Sequence, residues 1–172
     1  MMFWLLPRIA RFQQGHPEMP LQFKMNCRGS DPIRDNISVA IRNTMLTPPE
    51  DIIVRELADE WIGPVCTPEY LRQNGLRKPE DLARARLLAT RSRPLAWQQW
   101  AAAAGADSLN LAVQEEFEPF YLLIQAAACG LGIANVPRML VLDALESGRL
   151  VAPLGFVRGP YRLVLWLNPH VR

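Results

Sequence analysis

The chain is short of histidine, of cysteine and of net charge, and each shortage excludes a class of function. Only two histidines occur in 172 residues, His16 in a Gly-His-Pro turn and His170 near the end. Neither has a carboxylate or nucleophile suitably placed in sequence, so the proton relays of hydrolases lack a centre. GxSxG, HExxH, P-loop and GxGxxG patterns are all missing. Gly130-Leu-Gly132 follows a helical pattern rather than a strand, the wrong context for a phosphate loop. The acidic pairs Asp59-Glu60 and Glu115-Glu116 are chain neighbours, not the converging carboxylates that acid/base work needs. No catalytic group, metal site or cofactor is therefore expected.

Three cysteines, Cys27, Cys66 and Cys129, cannot all pair, and none lies in a CxxC or Cys/His cluster. Cys66 and Cys129 sit in apolar runs and read as small hydrophobes in a reducing, cytoplasmic setting. No apolar run reaches the length of a bilayer span. The start, MMFWLLPR, has no leading basic stretch and is broken by Pro7 and Arg8, so no export is expected. Lys and Arg total 19 against 17 Asp and Glu, a net charge of +2. Residues 64–150 hold nine bases and nine acids, and no stretch concentrates bases as a nucleic-acid surface does.

What is present is an ordinary core-forming composition, 49% hydrophobic and 21% charged, enough for one domain or two small lobes. The organising stretch is Pro119–Asn135. Phe120, Leu123, Ile124, Ala127 and Ala128 recur at helical spacing, and Gly130 stands where a left-handed cap belongs. Gly132-Ile-Ala reads as a buried strand, and Pro137 opens a helix with Leu140, Val141 and Leu145 on its face. Helix, glycine stop, strand and helix in succession indicate a layered α/β fold. Glu115, Glu116 and Glu118 precede the central helix; they complement its dipole or border a ligand cleft.

Elsewhere, residues 4–12 repeat as a helix that Gly15-His-Pro17 ends. Leu21–Met25, Ile37–Ile41, Ile52–Ala58, Trp61–Val65, Leu87–Thr90, Leu109–Val113 and Tyr161–Leu167 read as strands. Residues 27–35 read as a polar loop with room for a short helix. Thr67-Pro-Glu and Lys78-Pro-Glu-Asp are helix starts, and Trp97–Ala104 is an alanine-rich helix. Trp4, Trp97 and Trp100 read as packing residues, Arg8 and Arg11 as solvent-exposed.

The order of these stretches resembles the effector-binding domain of LysR-type transcriptional regulators, particularly those similar to the glycine-cleavage activator. The matching segments are WLLPRIARFQQGHPEMPLQF (4–23), SVAIRN (38–43), VRELADEWIGPVCTPEYL (54–71), EDLARARLL (80–88), WQQWAAAAG (97–105), LIQAAACGLGIANVPRMLV (123–141) and LESGRLVAPL (145–154). The resemblance implies an α/β fold of the type 2 periplasmic-binding-protein kind, two lobes with a central cleft. Lobe I is expected from 1–64 plus 154–172 and lobe II from 65–153. It also implies a non-catalytic sensor of a small carboxylate or amino acid.

Departures from the family accompany the match. The winged helix-turn-helix, the first effector-domain strand and the last helix have no counterpart, so lobe I is expected to be incomplete. Asn36-Ile-Ser38 replaces a Gly-x-Asp commonly found before the Ala-Ile-Arg strand. Carried over position by position, the effector-binding candidates are Cys27, Arg28, Asn43 and Thr44 from lobe I. From lobe II come Thr90, Arg91, Ser92, Glu116 and Phe117. The implied partners are a small-molecule effector and a homodimer or heterodimer with related regulators. DNA would be reached only through the missing winged helix-turn-helix, and a membrane not at all. The alternatives are a truncated regulator fragment acting as a protein-interaction module, or a solute-binding protein of the same fold.

Overall fold

A computed structural model describes residues 2–25 and 31–171. The chain divides into two units, Glu60–Pro160 and the combination of Met1–Asp59 with Tyr161–Arg172.

The larger unit is built on three short strands. β3 (Leu87–Ala89) lies between β4 (Val113–Glu116) and β5 (Ile133–Pro137) and runs parallel to both. Parallel neighbours need crossover connections, and helices supply them: α3 (Ala96–Ala103) between β3 and β4, α4 (Phe120–Ala128) between β4 and β5. The strands alternate between two apolar layers. Leu87, Ala89 and Ile133 join Trp97 and Trp100 of α3 in one buried cluster. Leu88, Ala134 and Val136 join Leu123, Ala126 and Ala127 of α4 in another. A strand covered on both faces has to be apolar at every position, which is why β3 reads simply Leu-Leu-Ala. Trp97 Nε1 donates to the Leu88 carbonyl at 3.0 Å, and its ring meets Trp100 edge-on at 6.1 Å.

Two glycines fix the return from α4 to β5. Gly130 takes φ +80°, closing the helix in the region that lacks a Cβ penalty only for glycine. At Gly132 a Cβ would lie 2.4 Å from the Arg86 carbonyl oxygen, so the backbone approach that starts the β5–β3 ladder admits no side chain. α2 (Pro68–Asn74) starts as its sequence suggests, with the Thr67 hydroxyl accepting from the Tyr70 amide at 3.1 Å. After a 3-10 turn at Arg138–Leu140 comes α5 (Leu142–Glu146).

The smaller unit holds α1 (Met2–Gly15), β1 (Val39–Asn43) and the outer parts of β2 (Ile53–Val65) and β6 (Val157–Leu167). Its core is Ala40, Ile52, Val164 and Trp166, with Ile33 and Ile37 packed against them. β1 pairs antiparallel with β6, from Val39 opposite Leu167 to Asn43 opposite Leu163. Asn36 takes φ +52°, so asparagine occupies the left-handed position where relatives were expected to have glycine. The hydrogen-bonded order of the described strands is β1-β6-β2-β5-β3-β4.

Several expectations need correction. Leu21–Met25 forms no strand: Phe23 and Met25 stay exposed and no ladder partner is present among the described residues. Alternation marks a strand only when a partner can take its hydrogen bonds. Ile52–Ala58 and Trp61–Val65 are not two strands but the single β2, which continues through Asp59 and Glu60. The strand expected at Leu109–Val113 begins only at Val113. The helix expected from Pro137 is split into the 3-10 turn and α5, and Pro79–Arg84 is 3-10 rather than α. In the latter, the Asp81 carboxylate accepts the Arg77 and Lys78 amides at 2.8 and 3.0 Å. Those two amides hold its carboxyl below the usual carboxylate range. Residues 32–36 form a turn, not a helix. Trp4 is half-exposed outside any core cluster, with the Arg8 guanidinium 4.2 Å over its ring. Cys129 is exposed, because its place just beyond α4 turns it away from the layer that Ala126 and Ala127 fill.

Two outcomes follow from this packing. Gly132→Ala should lose roughly 3 kcal/mol in urea unfolding, since the obstructing atom is backbone and cannot step aside. Gly15→Ala, whose Cβ meets nothing within 4 Å, should change stability by less than about 1 kcal/mol. Equal midpoints for the two variants would contradict the close approach. For the thiols, burial pushes Cys66 up to about 11. Peptide mapping after maleimide treatment at mildly alkaline pH should find Cys129 modified and Cys66 protected until the chain is unfolded. Because the folded value exceeds the unfolded one of roughly 8.5, this burial also costs stability as pH rises through that range.

Candidate functional site

Parallel pairing decides what stands together in the larger unit. Ala89 pairs with Glu116, so the chain leaves β3 and β4 side by side, and the Phe117 amide extends the ladder to the Ala89 carbonyl at 2.8 Å. Both exits are carboxyl ends of strands, the side on which open parallel sheets bind ligands. α4 starts just beyond, at Phe120, with Pro119 at its cap position and no side chain capping it. Thr90, Arg91, Ser92, Glu116 and Phe117 are thus gathered at one sheet end, within one unit.

Each residue of the loop Thr90–Arg93 has a glutamate partner. Thr90 Oγ1 donates to Glu118 Oε2 at 3.1 Å, and the Ser92 amide donates to the same oxygen at 3.0 Å. Since the Thr90 proton is committed to Glu118, the 3.1 Å contact between the two hydroxyls is made by Ser92 donating to Thr90. Arg91 faces Glu116 at 3.6 Å with 75% of its side chain exposed, a contact worth little in water. Arg93 is different. It holds Glu60 through both terminal nitrogens, the second at 2.9 Å, with side-chain exposures of only 14% and 3%. Its guanidinium also lies 5.5 Å from the Phe120 ring centre. The Phe117 side chain packs half-buried against the α4 layer.

Three participants were not among the effector-binding candidates: Glu118, read only as one of the acids before α4, and Arg93 and Glu60. A fourth is Asn135 of β5, whose Nδ2 donates to the Ala96 carbonyl at 2.7 Å. Its Oδ1 is buried without a donor among the described residues. The only sequence signal for this group was the density of acids at 115–118, which does not say which carboxylate reaches the loop.

In the smaller unit Asn43 and Thr44 close the β1–β6 end. Asn43 Oδ1 accepts the Met45 amide at 2.8 Å, and Thr44 exchanges bonds with Arg162, giving its amide to the carbonyl and accepting at Oγ1, both at 3.0 Å. Both side chains serve the turn. Cys27 and Arg28 lie outside the described residues. His16, expected to stand apart from carboxylates, contacts Glu18 at 3.3 Å, an exposed local pair. Among the described residues no cluster of His, Cys, Asp and Glu could hold a metal, and no helix is long and apolar enough to cross a membrane. A cavity of about 560 Å³ lined by Leu71, Arg72, Gly75, Leu76, Arg77 and Pro153 includes none of the candidate residues.

The α/β layers, with parallel strands whose carboxyl ends carry polar groups, share the type 2 periplasmic-binding-protein-like fold of the effector domains this chain resembles. The chain belongs to the LysR substrate binding domain family, whose profile matches residues 2–170. It is 37% identical over 166 residues to the HTH-type transcriptional regulator TrpI of Pseudomonas aeruginosa, covering 95% of this chain and 56% of that protein. It is 32% identical over 155 residues to the glycine cleavage system transcriptional activator of Escherichia coli, covering 90% and 50%. The chain thus spans about half the length of these regulators. Among solved structures it resembles the effector domain of the transcriptional regulator AmpR of Pseudomonas aeruginosa, with a TM-score of 0.79 and 26% identity over 97% of this chain and 79% of that one. The AmpR effector binding domain of Citrobacter freundii shares the fold, with a TM-score of 0.81 at 21% identity over 98% and 82%.

The buried pair makes a stability prediction. Arg93→Met alone should cost about 3 kcal/mol, because it leaves Glu60 in a nearly waterless place without its guanidinium. Combining it with Glu60→Gln should cost clearly less than the two single losses added. Strict additivity in urea denaturation would show that the pair does not hold the loop.

Proposed function

We propose that this chain is the sensing part of a LysR-type transcriptional regulator, and that its effector is a small carboxylate, amino acids included. Lobe II, residues 65–153, carries the recognition groups. The observation that carries the reading is the donor set at the carboxyl ends of β3 and β4. A threonine hydroxyl and a backbone amide converge on one carboxylate oxygen, with Arg91 beside them and the start of α4 following. Such donors suit a carboxylate because charge-assisted hydrogen bonds are the strong ones. Phe117 and Phe120 provide the apolar wall that small-ligand sites need. The role is binding rather than catalysis, in the cytoplasm, as a homodimer or as a heterodimer with related regulators. DNA is reached through a winged helix-turn-helix of the kind full-length regulators carry. Family membership and the regulator relatives support this reading.

One observation favours a second reading, a protein-interaction module. β1 is the end strand of the hydrogen-bonded order, and Val39 and Phe23 of the same unit are exposed apolar residues. Such an edge can accept another strand. Val39→Lys should abolish association with a full-length relative if β1 is the docking edge and leave it unchanged under the sensing reading, as sizing the mixtures would show.

For the sensing role, a thermal-shift screen of amino acids and small carboxylates should find some that raise the melting temperature, because a ligand of the native state stabilises it. Arg91→Ala should weaken the best of them roughly five- to tenfold. A screen in which no carboxylate stabilises the chain would end the carboxylate reading.

A further inference from the structure

We infer that Glu118 is a built-in competitor for the effector: its carboxylate occupies the donors that an effector carboxylate would use. The inference rests on the site proposed above and adds a regulatory element to it.

Glu118 makes two charge-assisted contacts, both through Oε2, to the Thr90 hydroxyl and the Ser92 amide. Among the described residues it has no ion-pair partner, whereas its neighbours Glu115 and Glu116 pair with Arg86 and Arg91. Its position is therefore set by the loop donors rather than by a cation. Thr90 is 1% exposed, so with its proton given to Glu118 a ligand reaches that hydroxyl only in place of Glu118.

The residue is also placed to leave. It is exposed, and it belongs to the short connection between β4 and α4, outside either element. The donors themselves cannot follow it. Thr90 continues directly from β3, and Arg93 ties the other end of the loop to Glu60 on β2. The loop stays while the carboxylate exchanges.

Displacement has a binding signature. A site open for only a fraction of the time shows an affinity reduced by that fraction. Removing Glu118 should remove the reduction, so the variant should bind better than the parent chain, the reverse of what truncating a contact residue does.

The test uses the full 172-residue chain, with acetate as the minimal carboxylate probe and methylammonium as the charge-reversed control. The Ser92 amide resonance is followed during titration. Glu118→Ala should bind acetate about tenfold more tightly than the parent chain. Glu118→Gln, which keeps an acceptor but loses the charge, should fall between them. Neither variant should gain affinity for methylammonium, and an otherwise unchanged amide spectrum shows that both fold. Acetate binding by the parent chain that the alanine variant leaves unchanged or weakens overturns the competitor role and spares the site. If neither chain shows a Ser92 response to acetate, the carboxylate site itself fails and this inference with it. Methylammonium binding that Glu118→Ala abolishes would instead make Glu118 a ligand contact for amines.

Discussion

Everything at the candidate site depends on β3 being covered on both faces. A strand of three residues has little hydrogen bonding of its own, yet Leu87, Leu88 and Ala89 are all buried between the α3 and α4 layers. Apolar contact with two helices stabilises what so short a ladder could not, at the usual benefit of about 25 cal/mol per Å² buried. Because β3 cannot shift without exposing one layer or the other, the residue after it is fixed as well. Thr90 inherits a buried position from the three apolar residues that precede it.

The charges around the loop differ widely in consequence despite similar appearance. Arg91–Glu116 is long and solvent-exposed, so water screens it and competes for both ends. Arg93–Glu60 is bidentate and nearly buried. For such a pair the cost of removing one partner exceeds the benefit of making the pair in the first place. Its contribution is therefore to position rather than to strengthen: it holds the last residue of the loop to β2, as the β3 ladder holds the first. Glu118 belongs to neither type. Its hydrogen bonds are charge-assisted, but among the described residues no counter-charge anchors it.

The parts legible in the sequence were those decided locally. Thr67 as a cap, Gly130 as a helix stop, the tryptophan face of α3 and the apolar run of β5 each follow from spacing and residue type over a few positions. The failures share a cause too. Leu21–Met25 alternates as a strand should, but alternation cannot say whether a partner edge exists. Trp61–Val65 was read apart from Ile52–Ala58 with the acidic Asp59-Glu60 between them, whereas Glu60 is a buried strand residue paired with an arginine 33 positions away. At the site, Thr90, Arg91, Ser92, Glu116 and Phe117 were named through their places at strand ends, and the structure gathers them. Choosing Glu118 rather than Glu116 as the carboxylate that meets the loop requires the β3–β4 register, which carries an irregularity between Leu87 and Leu88. That register is set by packing across 26 residues of intervening chain, from Ala89 to Glu116, and no local pattern encodes it.

A loop whose donors are already satisfied has a consequence for selectivity. Leaving the buried Thr90 hydroxyl unpaired costs about 1–3 kcal/mol, whereas water can take up the more exposed Ser92 amide, so a resting state with Glu118 in place is favoured mainly through Thr90. Exchanging that carboxylate for one on a ligand then returns nearly the same hydrogen bonds, and the exchange by itself contributes little net free energy. On the proposed reading, what separates one carboxylate from another would come from the rest of the ligand, from its fit against Phe117 and Phe120 and its charge beside Arg91. A carboxylate site arranged this way would respond weakly to small abundant acids and strongly only to a molecule that supplies both parts. For the proposed sensor, such discrimination would follow from filling the anion position in advance rather than from making it tighter.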